Sequence, residues 1–182
     1  MKLLITEMSS LSYPLSQEVD CNMKSHIRID CEDFDAGREY QRLRLICDQI
    51  GAVVTFTGLV RDFEDSGSQQ AKSELLSSMD LQYYPEMTEA LIANIVEEAT
   101  VRWSLLGVTI VHRVGKLLPN DQIVFVGVAS RHRSEAFNAA EFLMDYLKLK
   151  ATFWKRVQVG DQWRWISPKS RDADAMLKWG RR

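Results

Sequence analysis

Basic side chains flank both ends of one predicted helix in the last third of the chain. Arg131, His132 and Arg133 come directly before it, and Lys148 and Lys150 lie in its last turn. A helix N-terminus offers unpaired N–H groups and the positive end of the helix dipole, so the first cluster suits an anion such as phosphate. Lysines at a helix C-terminus interact favourably with the dipole in any case. We therefore interpret Lys150 as a helix-end charge and leave the role of Lys148 open.

A second basic group follows this helix and is mixed with aromatic residues. Lys155 and Arg156 come directly after Trp154, and Trp163 lies further along. This mixture can stack a planar heterocycle against an indole, or it can pack as the core of a hairpin. Arg61 lies where a predicted strand ends beside a loop, a common position for ligand contacts and also for solvated side chains.

Several standard catalytic motifs are missing. The sequence contains no glycine-rich dinucleotide or P-loop motif, no HExxH zinc motif and no GxSxG nucleophile elbow. The three histidines, His26, His112 and His132, are too dispersed to indicate a metal site. We interpret His112, in an apolar strand, as a hydrogen-bonded core residue. The sequence thus predicts neither a metal site nor a bound cofactor.

The composition is that of a globular protein. The chain has 182 residues, of which 46% are hydrophobic and 26% charged, and this balance excludes collagen-like and wholly disordered classes. No apolar run approaches the roughly 20 residues of a membrane span, and the short apolar start does not predict a signal peptide. The cysteines form no CxxC pair and are odd in number: Cys21, Cys31 and Cys47. We therefore expect unpaired thiols and a cytoplasmic protein.

Charge is unevenly distributed about a net value of −2. Residues 131–182 carry 12 Lys and Arg against 6 Asp and Glu, whereas residues 1–130 carry 11 against 19. A locally basic third in a slightly acidic chain predicts a focused anion site. The alternative is a module that binds single-stranded nucleic acid through this basic, tryptophan-containing third. The pI near 5.9 weighs against that alternative, because such domains are usually basic throughout.

Apolar periodicity predicts three long helices that position these residues. The first spans residues 35–50 and ends at Gly51, the second is capped by Thr88, and the third spans residues 134–150 with Ser134 as its cap. Phe137 lies on the face of the third helix that we expect to be buried. Strands are predicted at residues 27–29, 52–60, 81–84, 108–114, 122–129, 156–159 and 162–165.

The order of these elements predicts an α+β class. The strands at 156–159 and 162–165 flank Gly160-Asp161, a two-residue connection typical of a hairpin, and 108–114 forms a second hairpin with 122–129. Residues 1–26 lack periodicity and are expected to form a loosely ordered N-terminal extension, with one domain over residues 27–182. We further expect a buried strand at 52–60, a mobile loop over residues 62–80 and a short helix over residues 172–179.

Several of these segments form one pattern. They are GAVVTFTG at residues 51–58 with VR at 60–61, YPEMTE at 84–89, VHRVG at 111–115, IVFVGV at 123–128, HRS at 132–134, AF at 136–137, MDYLK at 144–148 and FWKR at 153–156. This pattern resembles the large, catalytic subunit of molybdopterin synthase, the MoaE family. The resemblance covers about residues 27–180 in the order and spacing of the family.

The resemblance implies a sulfurtransferase of molybdenum cofactor biosynthesis. The family inserts two sulfurs into cyclic pyranopterin monophosphate and so makes the dithiolene of molybdopterin. The sulfur arrives as a thiocarboxylate on the C-terminal Gly-Gly of a small ubiquitin-like subunit, whose tail enters the pocket of the large subunit. The resemblance also implies an α/β-hammerhead-type domain with an added antiparallel β subdomain, and a homodimer within a heterotetramer.

The resemblance assigns roles to the basic residues. It implies that His132 and Arg133 bind the substrate anion in the pocket of the neighbouring protomer, and that Arg61 is the family's strand-end arginine. It places the two functional lysines at Lys148 and Lys155, which we expect to be catalytic and substrate-binding. Phosphate and thiocarboxylate are both anions, so this chemistry needs fixed cations and no cysteine.

The sequence departs from the family pattern at three places. Leu59 and Thr152 stand where members often have lysine and proline, and Arg131 adds a charge beside the His-Arg pair. Loss of the proline is expected to loosen the loop that holds Lys155. None of these changes removes a matched cation, and Arg156 remains in the substrate-binding stretch that the resemblance implies.

Overall fold

The computed structural model describes residues 21–64, 74–166 and 178–180. Its helices are α1 (Ala36–Arg44), α2 (Pro85–Arg102) and α3 (Arg133–Lys150). Its strands are β1 (Lys24–Asp30), β2 (Ala52–Leu59), β3 (Phe63–Glu64), β4 (Glu74–Leu75), β5 (Ser78–Tyr83), β6 (Leu105–Arg113), β7 (Gly115–Leu117), β8 (Gln122–Ser130), β9 (Phe153–Val159) and β10 (Gln162–Ile166). Within these ranges no helix has the length and apolar character needed to cross a membrane.

The larger sheet has four strands in the order β1-β6-β8-β2. Its pairs β6–β8 and β8–β2 are antiparallel, whereas β1 lies parallel to β6. Side chains of β8 alternate between two cores: Val124, Val126 and Val128 pack in the cluster that includes α2 and α3, and Phe125 and Ala129 pack in the cluster that includes α1. The sheet is therefore covered by α2 and α3 on one face and by α1 on the other.

The smaller sheet is antiparallel throughout and has the order β10-β9-β5-β7. Short connections join it to the larger sheet, because only residues 151–152 separate α3 from β9 and only Val114 separates β6 from β7. Gly115 makes the bend into β7 with a φ of +77°, which glycine adopts without strain. Buried Leu81 and Val157 form part of its core.

The predicted α+β class is confirmed, together with the second antiparallel sheet. The β9–β10 hairpin turns at Gly160, whose φ of +56° fits a tight connection. The hairpin predicted from residues 108–114 and 122–129 is also present, as the antiparallel pair β6–β8. Both predictions rested on local turn chemistry and on runs of β-branched residues, which long-range contacts did not override.

The first predicted helix and the first long strand needed correction. The helix ends at Arg44, well before residue 50. Ile46 and Ile50 continue the apolar spacing and pack against the cluster of Leu43, but their backbone is not helical. The strand β2 forms as predicted but is an edge strand, not a buried one, and its Phe56 is 43% exposed. The apolar residues after α1 are therefore packed in a core, whereas some apolar residues of β2 lie at the surface.

The predicted N-caps of the other two helices were wrong. α2 begins at Pro85, whose fixed φ suits the first helical position, so Thr88 is buried within the helix. α3 takes His132 as its N-cap, so Ser134 lies inside the first turn. Phe137 was expected to be buried but is 62% exposed, because it lies on the helix face turned away from the sheet.

Three further predicted segments lie partly outside the described ranges. Of the N-terminal extension, residues 1–20 lie outside them and residues 24–26 belong to β1. The loop predicted over residues 62–80 contains the antiparallel pair β3–β4 and the start of β5, and its residues 65–73 lie outside. Most of the last predicted helix, residues 172–177, also lies outside.

The prediction of three unpaired cysteines was wrong. Cys21 and Cys47 form a disulfide, whereas Cys31 has a free, exposed thiol. The bond joins the segment before β1 to the segment after α1. The spacing and number of cysteines did not reveal this pair, because the fold brings together two positions that no short motif links.

Trp179 packs in the main core and is only 4% exposed. Its indole lies edge-on to Trp103 and Phe142, with ring centroids 5.8 and 5.4 Å away. The indole Nε1 donates a hydrogen bond of 2.8 Å to Asp145, and Arg102 donates one of 2.9 Å to the Trp179 carbonyl oxygen. One residue thus closes the end of the α2–α3 layer.

Substitution of this residue tests the closure. Trp179→Ala is expected to lower the free energy of unfolding by about 3–5 kcal/mol, because it removes a buried aromatic side chain and leaves a cavity. Urea denaturation measures the change. The matched control is Trp165→Ala, at a side chain that is 60% exposed, where about 1 kcal/mol or less is expected. Similar losses in both variants would contradict this account.

Candidate active site

A cavity of about 730 Å³ lies between the two sheets, beside the C-terminal end of α3. Three cationic side chains line it: Arg61, Lys148 and Lys155. Much of the remaining lining is apolar, as at Phe56 and Met144, and no carboxylate is among the described residues of the wall. Walls of this kind suit a ligand that carries anionic groups on a planar or apolar body.

Arg61 owes its position to the end of strand β2. The pairing of β2 with β8 shifts register between Gly58 and Leu59, so the chain turns away from regular sheet. The backbone of Val60 is then fixed from both sides: its N–H donates to the carbonyl of Asp121, and its carbonyl accepts from the N–H of Asn120. The residue that follows is therefore held at the edge of the cavity.

The two lysines come from a helix and a strand that follow each other in the chain. Lys148 lies in the last turn of α3 on the same side as Met144, four positions earlier, which also lines the cavity. Lys155 lies on β9, on the same face as buried Val157, and pairs with Leu81 of β5. The structure thus brings together three of the six predicted site residues.

Arg156 does not reach this cavity. It follows Lys155 on a strand, so its side chain points to the opposite face of the smaller sheet. There its Nε donates a hydrogen bond of 2.7 Å to Asp80, and its guanidinium lies 4.7 Å from the ring centroid of Trp163 and 5.8 Å from that of Trp165. In the described structure Arg156 is an ion-paired side chain of the outer sheet face.

The remaining predicted site residues line a separate pocket, here called the cradle, which consists of Gly51 and residues 131–134. The cradle lies at the N-terminus of α3, where His132 is the N-cap and both His132 and Arg133 are exposed. Arg131, which the sequence added to the His-Arg pair, hydrogen-bonds Gln49. The backbone N–H of Gly51 donates to the carbonyl of Ser130 at 3.1 Å, so the segment after α1 forms one wall of the cradle.

The cradle and the cavity lie at opposite ends of α3. Arg133 and Lys148 occupy the first and last turns of this helix, and at 1.5 Å per residue they are about 22 Å apart along its axis. The neighbouring strand β2 gives the same result, since Ala52 pairs with Ser130 beside the cradle and Leu59 pairs with Gln122 beside the cavity. Within one chain the two groups of basic residues cannot contact one small ligand.

Sequence reasoning missed the place of His112 in the cavity. The predicted hydrogen bond is confirmed, because Nδ1 lies 2.8 Å from the carbonyl oxygen of Arg113, but the residue is only partly buried and does not belong to the core. The same ring also lines the cavity and stacks on Phe153, with centroids 3.9 Å apart and planes 15° apart. Burial lowers the pKa of His112 to about 4, so the imidazole is neutral near pH 7. No local signal in the sequence marks this contact between β6 and β9.

Comparison with known proteins identifies the family. The family model described as "MoaE protein" matches residues 29–150. The chain belongs to the MoaE family. It is 49% identical over 154 residues to the molybdopterin synthase catalytic subunit of Ralstonia nicotianae, a match that covers 85% of this chain and 84% of the relative. It is 47% identical to the subunit of the same name from Yersinia pestis, covering 85% of this chain and 97% of that one.

A solved MoaE structure has the same fold. The molybdopterin biosynthesis MoaE protein from Burkholderia ambifaria aligns with a TM-score of 0.72 and 42% sequence identity, over 87% of this chain and 100% of that one. The resemblance drawn from the motifs is therefore confirmed for the family and for its α+β fold. These MoaE relatives do not support the nucleic-acid-binding alternative.

The close approach of Gly51 to the cradle can be tested directly. A Cβ atom at this position would lie 2.3 Å from the carbonyl oxygen of Arg131, a backbone atom that no side-chain rotation can move. Gly51→Ala is therefore expected to displace the cradle and to lower the free energy of unfolding by about 1–3 kcal/mol in urea denaturation. Gly180→Ala is the control, because nothing lies within 4 Å of a Cβ there. Equal stability of the two variants would refute the close contact.

Proposed function

We propose that this chain is the catalytic subunit of a molybdopterin synthase. It transfers sulfur from the thiocarboxylated C-terminus of a small ubiquitin-like subunit to cyclic pyranopterin monophosphate and so makes the dithiolene of molybdopterin. The observation that carries the proposal is the convergence of Arg61, Lys148 and Lys155 in one cavity of a MoaE family member. We place the reaction in the cytoplasm, and the exposed free thiol of Cys31 supports that location, although the Cys21–Cys47 disulfide does not.

Electrostatic repulsion is the obstacle that this cavity overcomes. A thiocarboxylate and a phosphorylated substrate both carry negative charge. Two unit charges 4 Å apart interact by about 1 kcal/mol in water, but by about 4 kcal/mol at the effective dielectric constant near a protein surface. A fixed cation attracts each reactant, and these attractions offset the repulsion between the two anions. A wall with three cations and no described carboxylate supports simultaneous binding of both anions.

The two lysines receive different roles in this proposal. Lys148 projects from the last turn of α3, a rigid element whose opposite face is buried, and we assign it to the thiocarboxylate and to the charge that develops during transfer. Lys155 lies on β9, and we assign it to the phosphate or the pterin of the substrate. Arg61 adds a third cation at the edge of the same cavity. Arg156 is left out of the pocket, because its side chain lies on the other sheet face.

A second copy of the chain completes the proposed site. The cradle with His132 and Arg133 is exposed, and it lies about 22 Å along α3 from Lys148. We propose that each protomer lends its cradle to the cavity of its partner. There the guanidinium of Arg133 can bind the substrate phosphate through two parallel hydrogen bonds. One small subunit at each end of this homodimer gives a heterotetramer.

Reconstitution tests the proposed reaction. The purified chain is mixed with thiocarboxylated small subunit and cyclic pyranopterin monophosphate, and the dithiolene product is measured. We expect product to form in proportion to the sulfur supplied. If no product forms under conditions in which an established synthase is active, the proposed function is wrong.

In this assay Lys148→Ala is expected to lower turnover by about 10²–10³, because it removes a donor that stabilises charge in the transition state. Lys150→Ala is the matched control at the same helix end. Its ammonium group lies 4.0 Å from Glu98 and 4.4 Å from the ring centroid of Tyr146, and it does not line the cavity. Near-parental turnover of Lys148→Ala with saturating small subunit would reduce Lys148 to a helix-end charge.

Mixed dimers test the shared site. Lys148→Ala and His132→Ala proteins are each expected to be impaired, whereas their mixture should regain activity. A mixed dimer contains one site with both residues intact and one site that lacks both. Exchange of protomers is verified by native mass spectrometry of the mixture. Verified exchange without any recovery would exclude a site shared between two chains.

A further inference from the structure

One imidazole, that of His112, lines the cavity together with the three cations. Arg61, Lys148 and Lys155 donate hydrogen bonds but cannot accept them. Among the described lining side chains, only Thr57 and His112 carry a nitrogen or oxygen atom that can accept one. A substrate that is both a phosphate and a heterocycle needs donors for its phosphate and acceptors for its ring N–H groups. The wall thus has several hydrogen-bond donors for the phosphate but few acceptors for the N–H groups of the ring.

The protonation of His112 follows from its contacts. Its Nδ1 lies 2.8 Å from the carbonyl oxygen of Arg113, and a carbonyl can only accept, so Nδ1 carries the hydrogen. In a neutral imidazole the other nitrogen, Nε2, then holds an unshared electron pair. The charged groups that line the cavity with it are Arg61, Lys148 and Lys155. Burial of the ring lowers its pKa and so disfavours a second proton.

The ring is also fixed in orientation. It stacks almost parallel on Phe153, with centroids 3.9 Å apart. The N–H of Phe153 in turn donates to the carbonyl of Ala151 at 2.9 Å, in the short connection between α3 and β9. An acceptor held by a hydrogen bond on one side and by an aromatic stack on its face is preorganised, so little entropy is lost when it binds a donor.

We propose that His112 is a specificity residue, whose unprotonated Nε2 accepts a hydrogen bond from an N–H group of the pterin ring in the cavity. The assignment rests on the proposed function, because it takes a pterin phosphate as the substrate. It divides recognition between two chemistries: the cations bind the phosphate and the thiocarboxylate, and His112 contacts the heterocycle. A ligand with the phosphate but without a ring N–H group lacks this contact.

Three variants separate the acceptor from the bulk of the ring. His112→Phe keeps an aromatic ring for the stack on Phe153 and removes the acceptor, so the KM for the pterin substrate should rise about 5- to 10-fold. His112→Gln retains an acceptor oxygen in place of Nε2 and should keep KM within about twofold of the parent. His26→Phe, at a histidine of β1 outside the cavity, should leave KM unchanged. The KM for the small subunit should stay constant in all three.

The outcomes are distinct. Equal KM values for the Phe variant and the parent, or equal impairment of the Phe and Gln variants, would overturn the proposal. A general packing defect would instead raise both KM values and lower the urea midpoint, and that result also counts against a specific acceptor. Failure of the proposed function would appear separately, as absence of product from the parent protein itself.

A measurement on the unaltered protein does not depend on the folding of any variant. In protein labelled with ¹⁵N-histidine, the resonance of the unprotonated Nε2 of His112 should move when the cyclic pterin phosphate binds. Inorganic phosphate, which has no N–H group, should leave it in place at saturation. If both ligands or neither shift the resonance, Nε2 does not accept a hydrogen bond from the ring.

Discussion

The apolar contact between α3 and the larger sheet determines the geometry of everything that functions in this chain. Ala136, Ala139 and Ala140 are buried along the helix, and these small side chains allow its axis to lie close to the sheet. Phe142 contacts Arg102 and Trp103 at the end of α2. A helix packed in this way cannot shift or rotate without opening the core. Its two ends are therefore fixed in position, with the cradle at one end and Lys148 at the other. The distance between them is set by the length of α3.

The junction of the two sheets determines which charged side chains face the cavity. The smaller sheet is attached through the very short segments that follow α3 and β6, so Lys155 and His112 are brought to the same cavity by neighbouring connections. One face of this sheet packs a hydrophobic cluster and supplies the cavity, and the other carries Arg156 with its carboxylate and indole partners. Arg156 and its carboxylate partner Asp80 therefore share the outer face of the sheet, and Lys155 lies on the other face. The cavity keeps its cations, and the acidic partner Asp80 remains outside it.

Features that depend on local sequence were predicted well, whereas features that depend on long-range contacts were not. β8 and α3 were predictable because β-branched runs and helical spacing are local signals, and both elements lie deep in the core. The face of Arg156 was predictable in principle, since adjacent residues of a strand cannot share a face, but the family resemblance grouped it with Lys155. The N-cap at Thr88 failed because Pro85 began the helix earlier. The contact of His112 with Phe153 and the Cys21–Cys47 bond join distant positions, and no spacing rule describes such pairs.

The separation of the two basic groups along α3 also bears on how the protein responds to dilution. On the proposed composite site, a folded single chain holds every required side chain and yet lacks a complete site. Catalytic capacity then follows mass action between copies, and it falls when dilution takes the protein concentration below the dissociation constant of the dimer, while each chain remains folded. A defective copy in a mixed population would also impair the partner to which it lends its cradle. On this proposal activity belongs to the dimer, and it depends on how much of the protein the cell contains.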